Sequence, residues 1–318
     1  LSIFNSKKEI DFIKKTFKGS TVDAVCLNKD DNRFNKSFDE AMKEDYDYIV
    51  MNLQRKYFTE ATHAGFIAMN KFIKSKNVPV IAFVDDLSIC ESPSTNMFDF
   101  KVPVSIITPK GTKKQFEEAG YNVKELIKTD AVASLLRSSS LIEDYPKPFD
   151  FIYVGMLREP RLSLVIETFN ALTEAGLMCA FYGADAFYDD ADGSTLNKAK
   201  FSVNKSVRPA DVIGTVSKSK FSIVPRYEYA STLVPNRIYE DDSANSLILI
   251  DAKYGLEDLF DDDVRYNSIG DLVEMAKYYS ERKNMYDMCL KKQHERINAR
   301  WMHDKDELAS AFKMIVGK

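Results

Sequence analysis

The chain has 318 residues, of which 45% are hydrophobic and 29% charged, and its formal net charge is −4. That length makes two domains the natural expectation, and no run of about 18 apolar residues suggests a membrane span. The acidic balance argues against a surface coated in positive charge for nucleic acid; because the acidic excess lies beyond residue 148, a polyanion would find the first half the better surface.

Leu1–Asn5 is too short, and too polar in its flanks, for a signal peptide, which gives the expectation of a cytoplasmic protein. The chain starts without Met, so a few residues are expected to have been removed. Cys26, Cys90, Cys179 and Cys289 form no CxxC pair and read as free, mostly buried thiols. His63, His294 and His303 lack metal-ligand spacing and read as surface or packing residues.

In chain order, nearly all-apolar runs predict strands at Leu1–Phe4, Val22–Leu27, Tyr48–Met51, Val78–Val84 and Val104–Ile107. Amphipathic helices fit between them at Lys7–Phe17, His63–Lys74 and Lys113–Ala119. Apolar strands spaced by helices indicate a parallel sheet covered on both faces. Pro146 and Pro148 stiffen a short linker. The alternation then restarts, with strands at Phe151–Val154, Met178–Tyr182, Phe221–Val224 and Leu247–Ile250. Helices are predicted at Leu162–Ala175, Pro209–Ser217 and Pro235–Asn245, around a polar loop at Ala184–Asp192. Further helices follow at Gly270–Arg282 and Lys283–Arg300, with a last amphipathic segment at Lys305–Val316. The fold class is therefore α/β, with two doubly wound sheets whose strand C-termini would line one cleft. Neither GxGxxG nor GxxxxGK[ST] occurs, which disfavours the usual dinucleotide and P-loop readings.

Arg237 and Glu240 stand three residues apart on a predicted helix that precedes an apolar strand. On one helix face they suit a phosphorylated nucleoside: Arg237 neutralises a diphosphate, and Glu240 accepts hydrogen bonds from a ribose diol. The same pair would also serve as a surface ion pair. Gly155, Arg158 and Arg161 lie between a strand and a helix, where glycine admits a ligand close to the backbone and the helix start supplies N–H groups. With Arg237 this makes three arginines at strand ends, enough to hold a diphosphate without an obligatory metal; the alternative is ordinary solvated helix-start arginines.

Asp85 ends an apolar strand in the first half, where partial burial would raise its pKa and suit it as a general base; Asp85 or Asp86 could instead cap the next turn. Glu9 could be a second acid or a helix-dipole partner. Arg55, Lys56, Lys71, Lys74, Lys113 and Lys114, with Tyr57, Phe58 and Phe72 interleaved, could track DNA phosphates and wedge against bases, or form solvated helix faces. Asp189–Gly193 resembles a fragment of a calcium loop without its terminal Glu.

The order of these features resembles the DNA β-glucosyltransferases of T4-type bacteriophages, which are GT-B glycosyltransferases, over nearly the whole chain. The resemblance rests on Lys36–Glu40, on Asp45-Tyr46-Asp47 before the strand ending in Asn52, and on the strand into Asp85. It continues in Asp150-Phe151-Ile152-Tyr153-x-Gly155, Phe181-Tyr182-Gly183, Arg237-x-x-Glu240, Gln293-His294 and Ala311-Phe312-Lys313. It implies a first domain over 1–146 that handles DNA, with a final helix at 303–318 packing back on it, and a nucleotide-sugar domain over 149–302.

By that resemblance Asp85 is the base for the acceptor hydroxymethyl group, and Glu9 lies near the sugar. Arg158, Arg161 and Arg237 hold the diphosphate, Glu240 the ribose, and Val207 the region of the uracil. The donor would be UDP-glucose or UDP-arabinose, with a divalent metal compatible but not required. The acceptor would be 5-hydroxymethylcytosine in double-stranded DNA, and the protein is expected to be monomeric. Three departures stand out: the loop between Asn5 and Glu9 is shorter than the family's, which bears on whether a hexose or a pentose is moved, Pro235-Asn236 precedes Arg237, and the spacing around Arg161 differs by one residue. A lipid, glycan or protein acceptor, and a non-catalytic nucleotide- or DNA-binding module, are the alternative readings.

Overall fold

In the computed structural model the described residues are 2–3, 7–18, 21–25, 38–52, 71–84, 90, 103–129, 131, 135, 141, 146–155, 161–183, 196–208, 211–224 and 234–317. The chain divides into two compact units, Leu1–Leu135 with Asp304–Lys318, and Leu136–His303. Among the described residues no helix is long and apolar enough to cross a membrane.

The first unit holds β1 (Ser2–Ile3), α1 (Lys7–Thr16), β2 (Ala24–Val25), α2 (Phe38–Ala41), β3 (Ile49–Asn52), β4 (Val80–Phe83), β5 (Val104–Thr108), α3 (Lys113–Glu118) and β6 (Val123–Lys128). Residues 71–76 are also helical. The strands form one parallel sheet in the order β2-β1-β3-β4-β5-β6. The two-residue period of a strand explains why its runs are apolar throughout. Ile49, Met51, Val80, Ala82, Val104 and Ile106 pack with Phe72, Ile73 and Phe116. The alternate residues Val50, Ile81, Phe83 and Ile107 pack with Phe12, Ile13, Leu308 and Phe312. Thr112 starts α3 as a cap, its hydroxyl accepting from Gln115 N at 3.2 Å.

The second unit holds β7 (Phe149–Val154), α4 (Arg161–Glu174), β8 (Cys179–Tyr182), β9 (Ser202–Asn204), α5 (Val212–Val216), β10 (Ser219–Val224), α6 (Asn236–Ser243), β11 (Leu247–Asp251), β12 (Arg265–Tyr266), α7 (Ile269–Glu281) and the start of α8 (Lys283–Val316). Its sheet is parallel, in the order β12-β11-β10-β7-β8-β9. The chain winds from β7 outward to β9, then crosses back to build outward from β10. The strand order therefore reverses between β7 and β10, the place where open α/β sheets leave a crevice beyond their carboxyl ends. Helix α4 buries Leu162, Val165, Ile166, Phe169 and Leu172, the spacing of a single helix face.

Several elements differ from the sequence reading. β6, β9 and β12 were not foreseen. In β6 only Val123 is buried, and Lys124, Glu125 and Lys128 leave no apolar run to mark an edge strand. The predicted helix at Pro209–Ser217 is shorter, running over Val212–Val216. The two closing segments, Lys283–Arg300 and Lys305–Val316, are one continuous helix, because neither Gly nor Pro interrupts residues 283–316. Its last part joins the first unit, where the Phe312 ring lies 5.3 Å from that of Phe83 and 6.0 Å from that of Phe12.

Candidate functional site

At the end of β7 the chain passes through Val154 and Gly155, and at the end of β8 through Tyr182 and Gly183. Gly155 N donates to Tyr182 O at 2.9 Å, and Gly183 N donates to Asn204 O at 3.1 Å, so the two strand ends are laced together. They are also in close contact. A Cβ on Gly183 would lie 2.3 Å from the Gly155 carbonyl oxygen, and one on Gly155 would lie 3.0 Å from Arg237 Nη2. Only glycine fits at Gly183 without moving backbone.

Arg237 comes to this place from α6, the helix that follows β10. Its Nη2 donates to the Val154 carbonyl, its guanidinium carbon lies 5.1 Å over the Tyr153 ring, and Nη1 lies 3.8 Å from Asp241 Oδ1. Tyr153 is in turn stacked on Phe181, with centroids 6.0 Å apart and planes 16° from parallel. A cation is thus fixed at the topological switch point by a carbonyl, an aromatic face and a carboxylate. Glu240 follows one turn later and is half-buried. Arg161 is the first residue of α4 and is half-buried; Val207 is half-buried against Ile152, Val154 and Ala180.

Asp241 is fully buried, and burial pushes its carboxyl up to about 7, against the pull of the Arg237 guanidinium. Glu240 and Asp242 push in the same direction as burial, and the Ser222 hydroxyl opposes it. Behind α6, Asp242 is held by His294 Nδ1 at 2.6 Å, and His294 Nε2 lies 3.0 Å from Asn245 Oδ1. Gln293 Oε1 accepts from Ile248 N at 2.8 Å while its Nε2 donates to Ser246 O at 3.1 Å. Gln293 and His294 therefore bind α8 to the C-terminal end of α6 and the start of β11, a packing role for His294.

The structure brings Gly155 and Arg237 together, with Glu240 on the same helix as Arg237 and Arg161 on the helix after β7. Asp85, Arg158, Arg55 and Lys56 lie outside the described residues, as do His63 and the acidic loop at 189–193. Glu9 lies in α1, with its side chain outside the described set. Lys71 and Lys74 are exposed on the helical residues 71–76. Lys113 and Lys114 pair with Glu117 and Glu118 on their own helix, at 3.8 and 3.6 Å. Cys179 and Cys289 are buried free thiols and Cys90 is half-buried.

The site residue that the sequence reading passed over is Asp241; Tyr153 and Gly183 stood in the motifs that carry the resemblance, at the aromatic-x-Gly and aromatic-Gly endings of β7 and β8, but with no role of their own. On α8, His303, Asp304 and Glu307 each bring a ligand atom within 4.8 Å of the others, a grouping that sequence spacing did not suggest.

No family model matches this sequence, and no curated protein matches it. Solved structures do match. T4 phage BGT in complex with UDP and Mn2+ is 16% identical with a TM-score of 0.74, covering 99% of each chain. T4 phage BGT in complex with its UDP-glucose substrate is 16% identical with a TM-score of 0.73, covering 99% of this chain and 97% of that one. An α-glucosyltransferase in complex with UDP and a 13-mer DNA is 13% identical with a TM-score of 0.61, covering 97% of this chain and 98% of that one. The fold is accordingly GT-B-like α/β, built on two parallel sheets, as in T4 phage β-glucosyltransferase.

Proposed function

We propose that this chain is an inverting glycosyltransferase that moves a sugar from a UDP-sugar to 5-hydroxymethylcytosine in duplex DNA. The observation that carries the reading is Arg237, a cation fixed beside Gly155 at the switch point of the second sheet. An arginine there meets a diphosphate with a planar donor fork, and Glu240 one turn on suits a ribose diol. Full-length likeness to structures that hold UDP, UDP-glucose or DNA supports the same assignment.

Asp85, which follows β4 and Val84 in the sequence, takes the proton of the hydroxymethyl group. The acceptor oxygen attacks the anomeric carbon in line, and UDP leaves against Arg158, Arg161 and Arg237. The target base must leave the helical stack to react. Glu9 stands by the sugar, Val207 by the uracil, and Arg55, Lys56, Lys71, Lys74, Lys113 and Lys114 by the DNA backbone. The short loop between Asn5 and Glu9 keeps both glucose and a pentose such as arabinose in play. One structural relative holds Mn2+; a divalent metal is compatible with this reading and not required by it.

The test is mass spectrometry of hydroxymethylated and unmodified DNA after incubation with a panel of UDP-sugars. A mass gain confined to hydroxymethylated DNA is the expected result, and the added mass identifies the sugar. UDP-sugar consumption that ignores DNA would move the acceptor to a lipid, glycan or protein. Binding without any turnover would reduce the chain to a binding module.

A further inference from the structure

Arg237 and Asp241 face each other one turn apart on α6, yet they differ in access. The Arg237 side chain keeps 18% of its surface, the Asp241 side chain 1%. Neither Asp241 oxygen has a hydrogen-bond partner among the described residues. A carboxylate buried in that state is costly, and such costs persist where something depends on them. The groups facing it are Arg237, Glu240 and Asp242 from its own helix and the Ser222 hydroxyl from β10. Asp242 is itself held by His294 and Gln293 from α8.

We propose that Asp241 is a positioning residue that couples the reach of Arg237 to anion binding: ionised, it shares the guanidinium charge and holds it toward the strand end; protonated, it leaves that charge to a diphosphate. The inference rests on Arg237 being a phosphate ligand, as proposed above. Its consequence is proton uptake. A diphosphate reaching the accessible part of the Arg237 side chain competes for the charge that keeps Asp241 ionised, so binding raises the carboxyl further above its already elevated value of about 7. Affinity is then greatest below that value and falls as pH rises past it.

The probe is UDP-glucose, whose diphosphate diester does not titrate near neutrality, measured calorimetrically in buffers of different ionisation enthalpy. Wild-type affinity should weaken roughly tenfold between about pH 6 and about pH 8.5, as linkage gives when binding lifts one carboxyl by about one pH unit. Proton uptake should accompany it. Asp241→Asn should flatten the profile and bind at least as tightly as wild type at the alkaline end. A flat wild-type profile without proton uptake, or an Asp241→Asn profile weaker than wild type but parallel to it, overturns the role of Asp241 and leaves the nucleotide-sugar reading standing. Absence of UDP-glucose binding by the wild type overturns both.

Discussion

Arg237 donates from Nη2 to the carbonyl of Val154, a residue 83 positions earlier in the chain. The bond ties the helix after β10 to the end of β7, the two strands between which the second sheet reverses its order. It directs a charged side chain to the place where the fold leaves its crevice. The glycine that follows Val154 makes room for it.

The two strand-end glycines should respond differently to substitution. In Gly155→Ala the backbone φ of +155° is one that side-chain-bearing residues rarely adopt, and the new Cβ meets Arg237 Nη2, 3.0 Å away. The fold should lose about 1–2 kcal/mol while UDP-glucose binding falls, because Arg237 is displaced. In Gly183→Ala the Cβ meets a backbone oxygen at 2.3 Å, which cannot swing aside. That variant should lose on the order of 2–3 kcal/mol of stability. Urea denaturation and UDP-glucose calorimetry on both variants separate the effects; equal destabilisation would count against the geometry.

Removing Arg237 should weaken UDP-glucose binding by about 3 kcal/mol, on the order of 100-fold, the worth of a well-placed charged hydrogen-bond donor. Arg237→Lys keeps the charge and loses the planar fork, so it should recover only part of the loss. Glu240→Ala should weaken uridine diphosphate and uridine binding in parallel, since its partner is the ribose. Equal affinities of pyrophosphate for wild type and Arg237→Ala would rule out the diphosphate role.

The strands and their two-face cores were legible because parallel strands covered on both sides carry uninterrupted apolar runs, as Val80–Phe83 and Leu247–Ile250 do. Edge strands such as Val123–Lys128 carry charge on exposed positions and gave no such signal. Arg237 and Glu240 could be picked out because their spacing lies within one helix turn. Asp241 could not. It lies beside Asp242 with no spacing to mark it, and its burial comes from β10 and the neighbouring packing, which adjacent sequence does not encode.

Asp241 also bears on stability. Its carboxyl sits at about 7 in the folded chain against an ordinary value of 3.8. The unfolded chain releases this proton near 3.8 and the folded chain keeps it to about 7, so this group's contribution to stability is full at acid pH and is lost as pH rises through that window. Three pH units correspond to about 4 kcal/mol. Asp241→Asn should remove the slope, making the empty protein more stable than wild type at about pH 8 and no more stable at about pH 4. Urea midpoints of both proteins across that range provide the check, and a difference independent of pH would contradict it.

Asp85→Ala should lower the transfer rate by a factor on the order of 100 or more, the usual contribution of a positioned general base. UDP-glucose affinity should not change, because the donor's diphosphate is assigned to the arginines of the second unit. The comparison is a single-turnover rate on hydroxymethylated DNA beside calorimetry with UDP-glucose. An unchanged rate would remove Asp85 from the reaction.

Gln293 offers a test of what keeps α6 and β11 in place. Its amide accepts from Ile248 N and donates to Ser246 O, and the residue is 4% exposed. Gln293→Leu fills the same space but leaves a buried N–H and a buried carbonyl unmatched, at a cost of roughly 2–4 kcal/mol. The loss is local to the start of β11, so amide exchange at Ile248 should accelerate more than at Ile81 in the other sheet. Since α6 carries Arg237 and Asp241 and runs into β11 through Ala244, Asn245 and Ser246, the same variant should weaken UDP-glucose binding without touching any group that meets the ligand. Faster exchange at Ile248 with undiminished binding would show that α6 holds its arginine independently of α8.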